Sequence, residues 1–502
     1  MFCRLKTLGF RGIDGFEVGA ETDVSGGLPS YNIVGLPDAA IKESRDRVMS
    51  ALRNSGFKPP ARKVTVNLAP AEVKKAGSHF DLPIALGILI SSGLLKPSRN
   101  IDNFFFLAEL SLDGALRPVT GLLPMLISLK ENSPNARALI PPENAAEAEM
   151  AGINYICAKD LREACLFISG EMELSKPQKI DRIEQDCENA DFSEVRGQHT
   201  AKRAAEIAAA GLHNLIMVGP PGSGKSMIAK RLFSIMPPMS EKEMLETTKI
   251  YSVWGRSSKV ISRRPFREPH HSISDIALIG GGQNPRPGEV SLSHNGILFL
   301  DELPEFSRTA IEGLREPLEN KKITVARVKD AVTYPADFLL IAAANPCPCG
   351  YYSHPTRPCV CTPVAVQKYR NRISGPVLDR IDLHVEVSPV KYGQWEGEKN
   401  EESSASILRR VIEARKRQYK RNGEGICNSA LSGKKLREIC VLPQSASKAL
   451  ESAMDRLGFS ARSMDKIARV ARTIADLSGE ENISREHVVE ALSLRTLDRK
   501  IF

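Results

Sequence analysis

The sequence predicts a multidomain α/β protein: an α+β first domain, a phosphate-loop α/β core and a helical C-terminal part. Three observations predict it. The chain has 502 residues, more than one hydrophobic core sustains, since single cores stop growing at roughly 250–300 residues. Gly219-Pro220-Pro221-Gly222-Ser223-Gly224-Lys225-Ser226 fits the pattern G-x-x-x-x-G-K-[ST] directly after the apolar run Leu215-Ile216-Met217-Val218. A second buried-strand run, Gly296-Ile297-Leu298-Phe299-Leu300, ends in two carboxylates, Asp301 and Glu302. Composition agrees with an ordered globular chain, at 42% hydrophobic and 26% charged residues. The formal net charge of +9 permits a polyanionic partner without demanding one. Four of the ten cysteines fall between Cys347 and Cys361 and the rest are scattered, which is not a secreted disulfide framework. Met1 to Phe16 carries Arg4, Lys6, Arg11 and Asp14, unlike a signal peptide. The longest apolar stretch, Leu82 to Leu95, is broken by Pro83 and is too short to span a bilayer. A cytoplasmic protein without a membrane partner is expected.

Residues 1–175 open with strand-like runs and Gly-rich turns. Asp38 to Ser55 has helical spacing at Ala40, Ile41, Val48, Ala51 and Leu52, with Gly56 as its stop. Lys63 to Leu68 alternates like a strand, and Asp81 to Leu95 reads as a buried helix capped at Asp81. The run Val73-Lys74-Lys75-Ala76-Gly77-Ser78-His79-Phe80-Asp81-Leu82-Pro83-Ile84-Ala85 resembles the amino-terminal domain of the magnesium-chelatase-like ATPases. That domain is similar to the proteolytic domain of Lon proteases and to the second domain of ribosomal protein S5. No protease activity is expected here. A Ser–Lys dyad needs a lysine base, and Pro118-Val119-Thr120-Gly121-Leu122-Leu123 offers Leu123 where the resemblance would put it. Ser78 then reads as a turn residue and His79 as a satisfied side chain; Lys74 and Lys75 read as solvated, with nucleic acid as the other reading.

Residues 176–190 are polar and charged and read as a linker. The core, residues 191–390, begins with Asp191-Phe192-Ser193-Glu194-Val195-Arg196-Gly197-Gln198, which resembles the segment before the phosphate loop in AAA+ ATPases. Val195 and Gly197 are thereby candidates for adenine contact, against the alternative of an ordinary linker-to-helix turn. A strand entering Gly219, glycines that let backbone N–H groups approach phosphate, and a helix starting at Lys225 together suit an anion. Lys225 would reach the β- and γ-phosphates, while Ser226 and Asp301 would hold Mg²⁺. Glu302 would polarise the attacking water. A third strand, Phe338 to Ala344, ends at Asn345, which corresponds to the polar sensor 1 residue of AAA+ proteins or else forms a turn before Pro346. Leu378-Asp379-Arg380-Ile381-Asp382 resembles the arginine-finger segment, so Arg380 would serve a neighbouring subunit, or alternatively pair with Asp379 or Asp382.

The span from Lys225 to Asp301 is too long for one helix and one strand. Ser262 to Glu289, rich in Gly and Pro, reads as a projecting loop, and Lys321 to Lys329 as a basic β-hairpin. These resemble the helix-2 insert and pre-sensor-1 hairpin of the clade of magnesium chelatases and MCM helicases. The resemblance implies DNA-backbone contacts from Arg263, Arg264, Arg267, Arg286, Arg327 and Lys329; solvated surface cations are the other reading. His270 and His271 read as polar loop contacts. Cys347-Pro348-Cys349 and Cys359-Val360-Cys361 form two C-x-C pairs that could close a Zn²⁺ site, with His354 as a substitute ligand, or remain free thiols or a regulatory disulfide.

Residues 391–502 open on a polar loop and continue as helices: basic Ala405 to Arg421, a helix from Ser460, and a last one from Ser484 to Leu494. Ser460-Ala461-Arg462-Ser463 resembles the sensor-2 segment, making Arg462 the γ-phosphate contact, with Arg469 and Arg472 as rivals. Asn345-Pro346-Cys347-Pro348-Cys349-Gly350 and Arg469-Val470-Ala471-Arg472-Thr473-Ile474-Ala475-Asp476-Leu477 are similar to the YifB/ComM family of magnesium-chelatase-like AAA+ ATPases. The resemblance implies a Lon-like first domain, an AAA+ core and a helical lid. It further implies a homo-oligomer, expected as a hexamer, that uses ATP and Mg²⁺ to move single-stranded or branched DNA during recombination of incoming DNA. The competing expectation is a protein-remodelling or chelatase-like motor.

Overall fold

The computed structural model describes residues 2–177, 190–255, 260–282, 285–326, 331–352, 354–389, 401–457, 461–495 and 497. The first unit is built on a seven-stranded sheet. Its order is Ser30–Val34, Lys63–Ala69, Asp14–Ser25, Phe2–Arg11, Phe104–Phe106, Arg137–Ile140 and Asn154–Cys157. Phe2–Arg11 and Asp14–Ser25 pair antiparallel across a tight turn, whereas the last three strands run parallel to Phe2–Arg11. The helix Ala39–Asn54 starts where Asp38 accepts from the Ile41 N–H, 3.0 Å. Its buried face is Ile41, Ser44, Val48, Ala51 and Leu52.

The second helix, Asp81–Ser91, is buried at every position. Asp81 does not cap it. Its carboxylate is bound by Arg47 at 2.7 and 3.1 Å, and a buried carboxylate satisfied by a distant arginine is not available to the helix's own N–H groups. Lys75 is fully buried and donates to the Pro70 carbonyl, so the solvated and nucleic-acid readings both fail for it. Leu123 is a core residue of the helix Leu122–Asn132. The Ser78 hydroxyl donates to Glu109.

The core sheet has five strands in the order Phe266–Arg267, Ile297–Leu300, Leu339–Ala344, Leu215–Val218 and Leu383–Glu386, all parallel to their neighbours. Parallel strands buried on both faces call for continuous apolar runs, which Leu215–Val218, Ile297–Leu300 and Leu339–Ala344 supply. Phe266 and Arg267 correct the expectation that 262–289 is wholly a projecting loop. They pair with Ile297 and Leu298 as the sheet's edge. The insert also holds the short helix Asp275–Ile279, whose Leu278 is buried against the core, and the small hairpin of Gly280–Gly281 with Arg286–Pro287. The second hairpin pairs Lys322–Ala326 with Ala331–Pro335. The two are tied together by Tyr334, whose hydroxyl donates to Pro285 O at 2.9 Å.

Helices Ser404–Asn422, Gly433–Ile439, Gln444–Leu457, Ala461–Ser478 and Arg485–Ser493 follow. Their apolar faces do not form a core of their own. Ile407, Val411, Ile467, Val470, Ala471 and Ile474 share one buried cluster with the Ala-rich helix His199–Gly211 and the core strands. Arg415 reinforces the seam by donating to Ala209 O at 2.6 and 3.1 Å. Among the described residues no helix is long and apolar enough to cross a membrane.

The first unit docks on the core through the helix Leu122–Asn132, which lies against Glu241–Trp254. Gly121 N–H donates to Ser252 O at 2.9 Å and Leu123 N–H to Ser252 Oγ at 3.4 Å. Glu147 sits in this seam, taking Asn144 Nδ2 at 2.6 Å. Burial pushes its pKa up to about 7, partly offset by hydrogen bonds from Ser252 and Asn144. The unfolded value is about 4.3, so the seam is favoured with Glu147 protonated. That contribution is complete below the unfolded value and fades as pH rises through about 7. Thermal unfolding of the Glu147→Gln variant is therefore expected to lose part of the wild-type decline between about pH 4 and pH 7; an unchanged decline would remove Glu147 as its source.

Candidate active site

The phosphate-loop turn leaves Val218 at the C-terminal end of its strand and closes at Lys225, the first residue of the helix Lys225–Leu232. Gly222 and Gly224 have φ of +75° and +90°, the region in which successive N–H groups turn into one concavity. Gly219 is needed for another reason: a Cβ there would lie 2.2 Å from Val387 O. Ser226 Oγ donates to Asp301 Oδ2 at 2.6 Å. A hydroxyl and a carboxylate in contact are hard oxygen donors of the kind Mg²⁺ takes. Lys225 Nζ donates to Gly219 O at 2.7 Å, Pro220 O at 3.0 Å and Asn345 Oδ1 at 3.3 Å. Burial holds this ammonium below its ordinary pKa, against the opposing pull of Asp301 and Glu302.

Glu302 has a left-handed backbone, φ 52°, a strained state for a non-glycine residue. Its N–H donates to Asp301 Oδ1 at 2.9 Å. Its carboxylate lies 3.4 Å from His271 Nδ1. This pairing was not legible in the sequence, because His271 comes from the insert and only the folded edge strand brings it to Glu302. His270 contacts Ser272 Oγ at 2.8 Å, and its ring lies tilted against His271 with ring centroids 4.1 Å apart. On the far side of the loop, Val195 is buried and Gly197 N–H donates to Glu401 at 2.7 Å. Gln198 Nε2 bridges Ser223 O and Ser388 O at 3.2 and 2.6 Å, fixing that segment to the phosphate loop.

Two expected residues are not brought to this site. Arg380 follows the short helix Gly375–Leu378, and its carbonyl accepts from Asn214 Nδ2 at 3.1 Å. Asn214 precedes the strand Leu215–Val218 at the end away from the phosphate loop, a separation of about 13 Å at 3.3 Å per residue. Arg380 forms an ion pair with Glu319 and donates to Pro376 O at 2.7 Å. Its pairing with Asp379 or Asp382 is thereby replaced. Arg380 holds Glu319 below the usual carboxylate range, with a smaller pull from Arg462. One turn after Arg462, Lys466 donates to Ile381 O at 3.2 Å and meets Asp382 at 3.4 Å. Arg462 is thus not a contact to this chain's own phosphate loop. Arg469 donates to Ser429 O, and Arg472 is buried on Glu480 O, Glu481 O and Asp476.

The basic set also divides. Arg264 is buried, holding Glu243 at 2.9 and 3.1 Å and Asn295 O at 2.7 Å. Arg267 grips Glu289 at 2.5 and 2.7 Å and lies over the Trp254 ring. Guanidinium groups committed to carboxylates inside the fold are not free for phosphate, which corrects the expectation for both. Arg263 is half-buried with interactions of its own, and Arg286 is exposed on the insert hairpin. Arg327 and Lys329 lie outside the described residues. Cys347, Cys349, Cys359 and Cys361 converge beside Asn345, every sulfur within 4.8 Å of the others. Backbone N–H groups of Tyr351 and Val360 aimed at Cys349 draw its thiol down to about 6.

Residues 191–395 match the family described as magnesium chelatase, subunit ChlI; residues 20–144 match subunit ChlI of Mg-chelatase, and 401–495 the ChlI C-terminal part. The chain is 43% identical over 492 residues to the uncharacterized protein YifB of Salmonella typhimurium, covering 97% of this chain and 96% of that one. It is 41% identical over 499 residues to the competence protein ComM of Haemophilus influenzae, with the same coverage. It therefore belongs to the YifB/ComM family of magnesium-chelatase-like AAA+ ATPases. The magnesium-chelatase 67 kDa subunit of Chlorobaculum tepidum is 25% identical over 167 residues, 31% of this chain and 23% of the subunit.

Membership of an ATPase family and the geometry around Glu302 lead to one expectation. Glu302→Gln should retain ATP binding and lower steady-state turnover at least about a hundredfold, the usual scale for a lost proton acceptor. Unchanged turnover would remove Glu302 from the reaction.

Proposed function

We propose that this chain forms a homo-oligomeric ring, most simply a hexamer, that couples ATP hydrolysis to translocation on single-stranded or branched DNA. The observation that carries the reading is the split of the site. Lys225, Ser226, Asp301, Glu302 and Asn345 gather at one end of the core sheet, and Arg380 and Arg462 sit at the other. In a head-to-tail ring, the arginines of one subunit would face the phosphate loop of the next. There they would stabilise charge developing on the γ-phosphate. Mg²⁺ held through Ser226 and Asp301 would supply charge neutralisation at the phosphates. Lys225 would bind the phosphates, Asn345 would orient the attacking water and Glu302 would take its proton. Val195 and Gly197 would flank the adenine.

DNA as the cargo is supported by the insert and second hairpin, which are tied to each other and carry Arg286 exposed, and by the name of the Haemophilus relative, a competence protein. Branch migration during recombination of incoming DNA, in the cytoplasm, is the task we infer. Residues 2–175 are read as a Lon-like, S5-like unit without peptidase chemistry, since Leu123 is a core side chain and Ser78 engages Glu109. The helices after residue 404 are read as the lid. A chelatase-like or protein-remodelling motor is the competing reading, favoured by the similarity to a magnesium-chelatase subunit over 167 residues.

Turnover measured with and without forked DNA across a salt series separates them. The DNA reading expects stimulation at low salt that falls steeply as salt rises. Arg286→Ala should weaken DNA binding and reduce the log–log salt slope by about 0.7, one phosphate contact on a single strand. Neither binding nor stimulation at low salt would leave the protein-remodelling reading standing.

A further inference from the structure

We propose that Cys347, Cys349, Cys359 and Cys361 form a tetrathiolate zinc site that clasps the loop after Asn345 onto the phosphate loop. The geometry is specific. Cys347 Sγ lies 3.4 Å from Cys349 Sγ and 3.6 Å from Cys359 Sγ, and the last two are 3.5 Å apart. Cys361 completes a group whose sulfurs all lie within 4.8 Å of one another. Four thiolates about 2.3 Å from a central Zn²⁺ stand about 3.8 Å apart along each tetrahedral edge. A disulfide would need two sulfurs at about 2.05 Å, and no pair among these four is close to that. An iron–sulfur cluster spreads its thiolates over several irons separated by bridging sulfide and needs a wider cage. His354 is not the fourth ligand through Nδ1, which accepts from the N–H groups of Thr356 at 3.2 Å and Arg357 at 3.1 Å. Soft thiolates in a compact tetrahedron suit zinc, and a single iron is the other abundant metal that the same cage would take.

The position of the group gives it a purpose. Cys347 is two residues beyond Asn345 and fully buried, and Arg370 donates to the intervening Pro346 O at 3.0 Å. Gly350, at φ +82°, lies so close to the phosphate loop that a Cβ there would be 2.6 Å from Pro221 Cδ. Between Asn345 and the helix Pro363–Arg370 the described residues form no regular structure, and the segment has few apolar side chains to hold it. A metal supplies what packing cannot in such a loop. Its loss would loosen both Asn345 and the Pro221 side of the phosphate loop.

The test is metal content by inductively coupled plasma mass spectrometry on full-length protein purified without chelators. About one zinc per chain is expected, and Cys359→Ser/Cys361→Ser should carry none. If that variant does not fold, mercurial titration of wild-type thiols, with zinc release read by a chromophoric chelator, gives the same stoichiometry. Metal-free wild-type protein, iron in place of zinc, or a double variant that keeps its zinc would overturn the assignment. Hydrogen exchange reads the clasp separately from ATP turnover. Amides in 219–224 and 346–362 should exchange faster once zinc is stripped, and unchanged exchange would overturn the clasp. Failure of the nucleotide reading would leave the metal content untouched, so the two are distinguishable.

Discussion

The 2.6 Å hydrogen bond from Ser226 to Asp301 depends on strand order. Ser226 follows the strand Leu215–Val218, and Asp301 ends the strand Ile297–Leu300; the two are not neighbours. Leu339–Ala344 lies between them, parallel to both, and ends at Asn345. One sheet edge therefore collects a lysine, a hydroxyl, two carboxylates and an amide from positions 120 residues apart in the case of Lys225 and Asn345. Open parallel sheets place ligands at this edge because every strand delivers its C-terminal end there. The glycine turn matters as much as the side chains, because Gly219 must pass beneath Val387 O and Gly350 must touch Pro221.

The opposite edge is built with equal care. Asp382 is buried; burial works against its charge, yet Lys466 and His213 hold its carboxyl well below the usual range. That cluster joins the strand Leu383–Glu386 to the helix Ala461–Ser478, so Arg380 and Arg462 are set on a rigid base. The first unit adds a second brace. Phe10 and Ile13 pack against the core cluster that contains Val332, and a Cβ at Gly12 would meet Val332 Cγ1 at 2.5 Å. The base of the second hairpin is thus held between the core and the first unit, while the insert is tied to it through Tyr334.

What was legible in the sequence was local. The glycine turn, the strand ending in Asp301 and Glu302, and the start of the last helix at Ser484 depend on residues within a few positions of one another. What was not legible depends on partners far away in the chain. Arg264 and Arg267 look like members of a basic surface loop until Glu243 and Glu289 fold against them. Phe266–Arg267 is a two-residue strand whose identity comes wholly from its neighbour Ile297–Leu300. Asp81 looks like a cap because Arg47, on another helix, cannot be seen from the helix start. The cysteines were visible as a cluster, but C-x-C spacing leaves metal, thiol and disulfide open until the sulfur separations are known.

The central claim is that each nucleotide site is completed by arginines of a neighbouring subunit. Mixing two inactive variants tests it most directly. Lys225→Ala spoils a chain's own phosphate loop but leaves its Arg380 to offer; Arg380→Ala keeps the loop and lacks the arginine. Each variant alone should be inactive, and the mixture should recover part of the wild-type ATP turnover, because some interfaces then combine an intact loop with an intact arginine. No recovery in rings shown to contain both chains, or full turnover by Arg380→Ala alone, would contradict it.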